Sequence, residues 1–354
     1  MANLQATTFT DLTLPRGTTA ERPATPATGM VRYNTSFNLL EFWDGTNWRP
    51  VTGYSAGTIG TGGNSITKVN NNIVHTFTSV GAATFTPSFN GYVQVLVVAG
   101  GAGPGGGWGG GGGGGGMIFN RAFPVSAGTN YPLTVGNGGA RGTQANGGNS
   151  AFSTITANGG GHAGTWDQQT PGNPGGSGGG GANTSIDSSR LRVFGGLGIT
   201  GQGFPGGSGV RFNDDSENTH NGGGGGGAGG PGWSSQDENQ QQATHGGPGA
   251  ANDILGDILY WGGGGASGPH ICDGGGGDGG VGGGGGGASH YVPGYPTVGN
   301  GFGGGQALNK GQPATNNDGH SRYGGDGGAN TGGGGGNGGS THGGGGSGIV
   351  VVRY

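Results

Sequence analysis

Charge is what this sequence has least of. Among 354 residues there are 13 Lys or Arg and 17 Asp or Glu, for a formal net charge of −4. Basic residues so few and so scattered exclude a nucleic-acid-binding surface. A net charge this small for the length also argues against charge-driven disorder. Cysteine is nearly missing too. Cys272 stands alone, so no disulfide forms within the chain, and the residue reads as a small packed side chain rather than a reactive thiol. Long apolar runs are absent, since the stretch 92–99 is interrupted by Gln94 and is far too short to span a bilayer. The first eight residues carry neither a basic nor an apolar segment, so a soluble chain made in a cytoplasm without a signal peptide is expected. Collagen is excluded by 17 prolines and the lack of a strict Gly-X-Y register. Helix signals are almost nil. Only Asn252 to Trp261 has helical spacing after an Asn cap, and Gly256 weakens it.

Glycine is what the chain has instead, 104 residues of 354, against an average of roughly 7%. It is unevenly spread: residues 1–98 hold 10 glycines and residues 99–348 the other 94. The glycine-rich part begins just after the β-branched run Tyr92 to Val98 and ends just before a second one, Ile349 to Tyr354. Both read as buried strands and are expected to be neighbours in one sheet. Further strands are expected at Asn72–Thr78 and Ala83–Thr86 around a turn at 79–81, at Met117–Val125 and Tyr131–Val135 as a hairpin with a five-residue loop, and at Ser150–Ala157. His75 alternates with Val74 and Thr76, the position of a satisfied sheet histidine rather than a ligand.

The longest glycine runs are Gly109–Gly116, Gly222–Gly227, Gly282–Gly287 and Gly332–Gly336. Isolated, such runs behave as flexible linkers. Linkers rarely carry aromatics between their glycines, however, and this segment holds Trp166, Trp233, Tyr260, Trp261, Tyr291 and Tyr295. The alternative is a bundle of polyglycine II helices with three residues per turn and ~3.1 Å rise. Their peptide groups point outward and need partners on neighbouring helices. Only glycine lets neighbours come close on every side.

Ahead of this segment lie smaller units. Residues 1–28 read as an arm or linker, 29–53 as a small β-meander, 54–64 as a linker, and 65–354 as the glycine-rich domain. The meander takes Gly29–Asn34, Leu39–Trp43 and Trp48–Val51 as strands, with an Asp44-Gly45 turn between the last two. A unit this small implies docking or oligomerisation. The expected fold class is therefore all-β: an N-terminal meander plus a β-sandwich-like scaffold, its first and last strands paired, carrying a polyglycine II bundle.

Ile73 to Ser79 and Val93 to Gly101 resemble the opening of the glycine-rich domain of tailed-phage fibre proteins and adhesins, and Gly348 to Tyr354 its closing strand. Tyr131 to Gly139 and Asn146 to Phe152 match that domain's internal pattern. Gly17 to Pro23, Met30 to Thr35 and Phe42 to Trp48 are similar to a segment common in phage, particularly cyanophage, structural proteins. The resemblance implies a virion surface appendage, a tail fibre or fibre-tip adhesin, commonly a homotrimer. Residues 1–53 would attach to other virion proteins, and loops would recognise a host surface glycan or outer-membrane protein. The glycine-rich region of anaplastic lymphoma kinase shares the packing idea, but its cysteines have no counterpart here.

If glycine helices form the scaffold, the islands that interrupt them are candidate receptor-binding loops. These are Trp166, Asp167 and Gln168; Arg211, Asp214 and Asp215; Trp233, Asp237 and Glu238; Tyr260 and Trp261; and His290, Tyr291 and Tyr295. Aromatic faces beside carboxylates and amides suit carbohydrate, the ring packing on a sugar face and the polar groups taking hydroxyls. No catalytic residues, metal site or cofactor are expected. Asp214, Asp215, Asp273 and Asp278 have no spacing that fixes them about one cleft, the eight histidines show no paired ligand spacing, and repeated Gly-x-Gly-x-x-Gly matches lack a Rossmann context. Two further classes stand beside the adhesin: a purely structural virion component and, third, a polysaccharide depolymerase.

Overall fold

The computed structural model describes residues 14–36, 39–50, 59–107, 109–166, 168, 170–183, 192–214, 217–235, 244–270, 275–288, 299–317 and 321–354. The fold is β throughout. Among the described residues there is no α-helix, only a single 3-10 turn at Thr19–Glu21.

A four-stranded sheet forms from β1 (Arg16–Gly17), β2 (Val31–Asn34), β3 (Leu39–Trp43) and β4 (Trp48–Pro50), in that order. The three meander strands lie where the sequence places them. The arm also joins, because β1 pairs parallel to β2. Amides of Tyr33 and Thr35 donate to the carbonyls of Pro15 and Gly17 at 2.8 and 2.9 Å, and an ion pair ties down the residues that follow. Glu41 is buried, and it accepts from Arg22 at Oε1 (3.1 Å) and Oε2 (2.6 Å) and from Asn34 at 3.0 Å. Arg32 approaches to 3.5 Å on the other side. Burial alone raises the Glu41 pKa, but the hydrogen bonds from Arg22 and Asn34 and the two guanidinium charges outweigh it and hold the carboxyl below its ordinary value.

Two further sheets share a core. One runs β5 (Ser65–Val69), β6 (Asn72–Phe77), β21 (Ile349–Arg353), β8 (Gly91–Val98), β9 (Met117–Val125); the other runs β12 (Ile155–Ala157), β11 (Ser150–Phe152), β10 (Tyr131–Val135), β7 (Gly81–Phe85). As expected, the run before the glycines and the run after them are neighbours: Ile349 pairs with Val98 and Val352 with Val95. Phe77, Val95, Phe123 and Val350 from the first sheet meet Phe85, Leu133 and Phe152 from the second in one cluster. The hairpin expected from β9 and β10 does not form. Phe123 with Val125 and Leu133 with Val135 belong to opposite sheets and face each other across this core, so β9 pairs with β8, and β10 with β7 and β11. Likewise 150–157 is two strands, turned at Ser153, whose φ is 50°.

The central sheet is covered on its second face too. Val74, Leu96, Val98, Ile349 and Val351 pack against Ile254 and Trp261. Those two residues come from the stretch with helical spacing, which folds instead as a hairpin of β16 (Ala250–Asn252) and β17 (Leu259–Trp261). The Asn252 side chain, read as a helix cap, accepts from the Ile254 amide at 2.9 Å and makes a turn. Gly256, at φ +106°, takes a conformation that a helix excludes. His75 is buried and satisfied, its Nδ1 2.7 Å from the Gly62 carbonyl and its Nε2 3.0 Å from the Tyr354 hydroxyl. The carbonyl can only accept, so Nδ1 carries the proton and Nε2 accepts from the tyrosine. Burial pushes this imidazole below its usual pKa, partly opposed by the Gly62 bond.

Between β8 and β21 the chain runs back and forth in short glycine-rich segments. Three small antiparallel sheets sit among them: β13 (Arg192–Val193), β14 (Gly209–Asp214), β15 (Glu217–Asn221) and β18 (Pro269–His270); the β16–β17 hairpin; and β19 (Thr315–Asn317) with β20 (Ser321–Tyr323). The run 109–116 lies at the centre. Gly110, Gly113 and Gly116 donate to Gly164, Gly161 and Asn158; Gly111 and Gly114 to Gly223 and Gly226; Gly112 and Gly115 to Gly335 and Gly332. Carbonyls repeat the pattern, accepting from 99, 102 and 105, from 177 and 180, and from 265. Peptide groups three residues apart therefore serve the same neighbour, and one run is bonded to six others. Side chains have no room. A Cβ on Gly111, Gly112 or Gly114 would fall on the carbonyl of Gly265, Ala102 or Gly262.

Candidate functional site

The hydrogen-bond register orders the lattice from end to end. Gly116 lies next to Ala99 and Gly110 next to Gly105, so 116 marks the end nearest the sheets and 110 the far end. Tracing each run this way places the reversals at 199–202, 228–231, 253–258, 281–283 and 306–309 near the sheets. Thr165, Asn183, Ser235, Thr244, Ala288 and Asn337 come at the far end. Small buried polar side chains close the lattice there. Thr244 donates to the Gly222 carbonyl at 2.7 Å and lies 2.9 Å from the Ser267 hydroxyl, while Asn337 donates to the Gly105 carbonyl at 2.8 Å.

On the flank of the lattice four neighbouring runs present a row of side chains. Trp233 is 60% exposed and Phe302 74%, and between them stand His245 and Asp278. The Trp233 and His245 rings meet edge to face at 5.0 Å. The Asp278 amide donates to His245 Nδ1 at 2.9 Å, and Asp278 Oδ1 accepts from the Phe302 amide at 2.8 Å. Because Nδ1 accepts, the imidazole presents Nε2–H as a donor. The backbones are tied in the same order, Trp233 to His245, Gly246 to Asp278 and Gly279 to Phe302. Two apolar faces thus flank a donor and an acceptor whose positions are fixed by main-chain bonds, a combination able to hold a sugar ring and its hydroxyls.

Of the residues singled out from sequence, Trp233 is in this row. Trp166 is half-buried at the far end, packed over Gly107 with its amide 3.3 Å from the Gly106 carbonyl, and Gln168 is exposed beside it. Arg211 and Asp214 lie on β14, and only their backbone is described. Asp167, Asp215, Asp237, Glu238, His290, Tyr291 and Tyr295 fall outside the described residues. Tyr260 is half-buried at the near end, and Trp261 is fully buried. Trp261 is thus a core side chain rather than a receptor-binding one, because the back of the central sheet needs an apolar cover.

His245, Asp278 and Phe302 were not singled out as binding residues, yet a signal for them exists. Asp278 and Phe302 stand singly within glycines, and among runs packed this closely only small side chains such as Ala102 and Ala266 are buried, so a large or charged one faces out. Asp326 is occupied otherwise, by Arg141 in a two-pronged pair at 3.1 and 2.8 Å and by the Gly344 amide. Among the described residues no group of three or more His, Cys, Asp or Glu is placed to hold a metal ion, and no helix is long and apolar enough to cross a membrane. A cavity of about 520 Å³ at the junction of lattice and sheet is lined by Met117, Phe119, Phe204, Pro205 and Ala228 among others, with no charged group among the described residues.

A sequence profile described as a glycine-rich domain matches residues 78–316, more than half of the chain. No curated protein matches it.

Proposed function

The chain belongs to the glycine-rich domain family, and on that premise we propose that it is a virion surface appendage, a phage tail fibre or fibre-tip adhesin. In this reading the two facing sheets are a sandwich and the glycine runs a polyglycine II bundle standing on it. The period of three in the hydrogen bonds and the six neighbours of run 109–116 support the second assignment. Residues 1–53 attach the chain to other virion proteins, and homotrimer formation is the expected assembly.

The observation that carries the reading is the exposed row Trp233, His245, Asp278 and Phe302. Most of the Trp233 and Phe302 surface is left open beside fixed polar groups, and the hydrogen-bonded runs beneath hold the row in place ahead of any ligand. The partner it fits is a host cell-surface glycan. Binding of the purified protein to bacterial surfaces and to a glycan array tests this, with Trp233→Ala and Phe302→Ala as variants. Loss of binding in both, with unchanged melting, is expected. Absence of binding by the parent protein, or binding equal in parent and variants, would favour the purely structural role.

A further inference from the structure

A second polar site lies at the opposite end of the molecule from the far loops, where the strands of the central sheet point away from the lattice. There Asn72, Tyr92, Gln94, Arg121, Arg353 and Tyr354 line a cavity of about 250 Å³. Two arginines reach it, one of them balanced by a carboxylate. Arg353 is mostly buried and held from two sides, donating to Gln94 Oε1 and to the Asp253 carbonyl, each at 2.7 Å, with Asp253 Oδ1 at 3.5 Å. Arg121 sits in the bulge where β9 slips against β8 between Val93 and Val95, a device that re-aims a side chain. Its guanidinium lies 5.1 Å from the Phe119 ring centre, and among the described residues no carboxylate pairs with it. Tyr92 is 69% exposed on the same rim.

We propose that this cavity binds the carboxylate of an acidic sugar, such as a uronic acid residue. Arg121 supplies the charge-assisted hydrogen bonds, and Arg353, its charge offset by Asp253, fixes the wall beside it through Gln94. The exposed face of Tyr92 takes the sugar ring, and the amides of Asn72 and Gln94 meet hydroxyls. The volume is below that of clefts built for drug-sized ligands, which suits a single six-membered ring. This site stands independently of the Trp233 row and of the appendage reading.

The test is calorimetric or NMR titration of the full chain with glucuronate, glucose and inorganic phosphate. Glucuronate is expected to bind, glucose to bind at least tenfold more weakly, and Arg121→Gln to weaken glucuronate by roughly tenfold or more. Tyr92→Ala should weaken glucuronate binding, and Trp233→Ala should leave it unchanged. Equal binding of glucose and glucuronate would overturn the proposal, as would an unaffected Arg121→Gln. Phosphate binding as tightly as glucuronate, with Tyr92→Ala unchanged, would reduce the site to a bare anion contact and overturn it as well.

Discussion

The central sheet and the glycine lattice solve the same problem with opposite materials. In β21 every side chain from Ile349 to Val352 is fully buried, packed alternately on the two faces of the sheet. Burial of apolar area is the driving term there, about 25 cal/mol per Å². In run 109–116 there are no side chains at all, and the peptide groups of Gly110 to Gly116 bond outward to six neighbours. Each such bond contributes only about 1 kcal/mol net, while glycine loses more chain entropy on ordering than any other residue. The lattice must therefore form as a whole, and the sheet supplies the fixed ends from which it forms. A glycine-rich composition can thus be a packing specification. A core made of side chains tolerates a smaller one at a cost, whereas positions such as Gly111, Gly112 and Gly114, walled by backbone carbonyls, tolerate no larger residue.

Substitutions can break this contrast. The largest effect is expected from Gly112→Ala, because its Cβ would fall on the Ala102 carbonyl and its peptide bonds to both Gly335 and Gly265. No flexible side chain is there to yield, so urea denaturation should show a loss above about 4 kcal/mol. A loss below about 1 kcal/mol would mean the runs are loosely held. Phe152→Ala, in the shared core of the two sheets, should cost about 3–5 kcal/mol by the same measurement, with the fold retained.

Acid acts on the regions through different groups, His75 and Glu41 in the sheets and, in the glycine-rich segment, His342, which burial also holds below its ordinary value. His75 has a depressed pKa in the folded chain, so the unfolded chain takes up the proton first. Its contribution is complete above the ordinary value of 6.5 and is lost as pH falls below it. Glu41, also depressed, contributes fully above 4.5 and loses that contribution as pH falls through its folded value. Melting temperature followed from pH 8 to 3 should decline in these two windows, and His75→Gln should shrink the first to the share that His342 contributes. The smallest effect is expected at Gly305, where a Cβ meets nothing within 4 Å. Gly305→Ala should be neutral or stabilise by about 0.4–1 kcal/mol, showing that glycine is required by position and not by composition.

Much of the scaffold was legible in the sequence because its strands are β-branched and bounded by turns. Val93 to Val98 and Ile349 to Val352 could be matched as neighbours on either side of the glycines. The pairing of β9 with β8 was not legible, since Phe123 and Leu133 look alike to a local pattern and only the facing sheets separate them. The hairpin at 250–261 was misread because Ile254, Leu255 and Leu259 have helical spacing, and burial against Val351 overrides it. At the candidate site Trp233 stood out by its size. His245, Asp278 and Phe302 did not, because their alignment depends on which run lies beside which, and that is set by main-chain bonds invisible in a string of glycines.

The glycine runs are hydrogen-bonded as firmly as the sheet. Native-state hydrogen exchange resolved to Gly111–Gly116 measures this directly. Amides as slow to exchange as those of Val350 and Val351 are the predicted result. Exchange of the glycine amides at the rate of an open chain, while the strand amides stay protected, would contradict it.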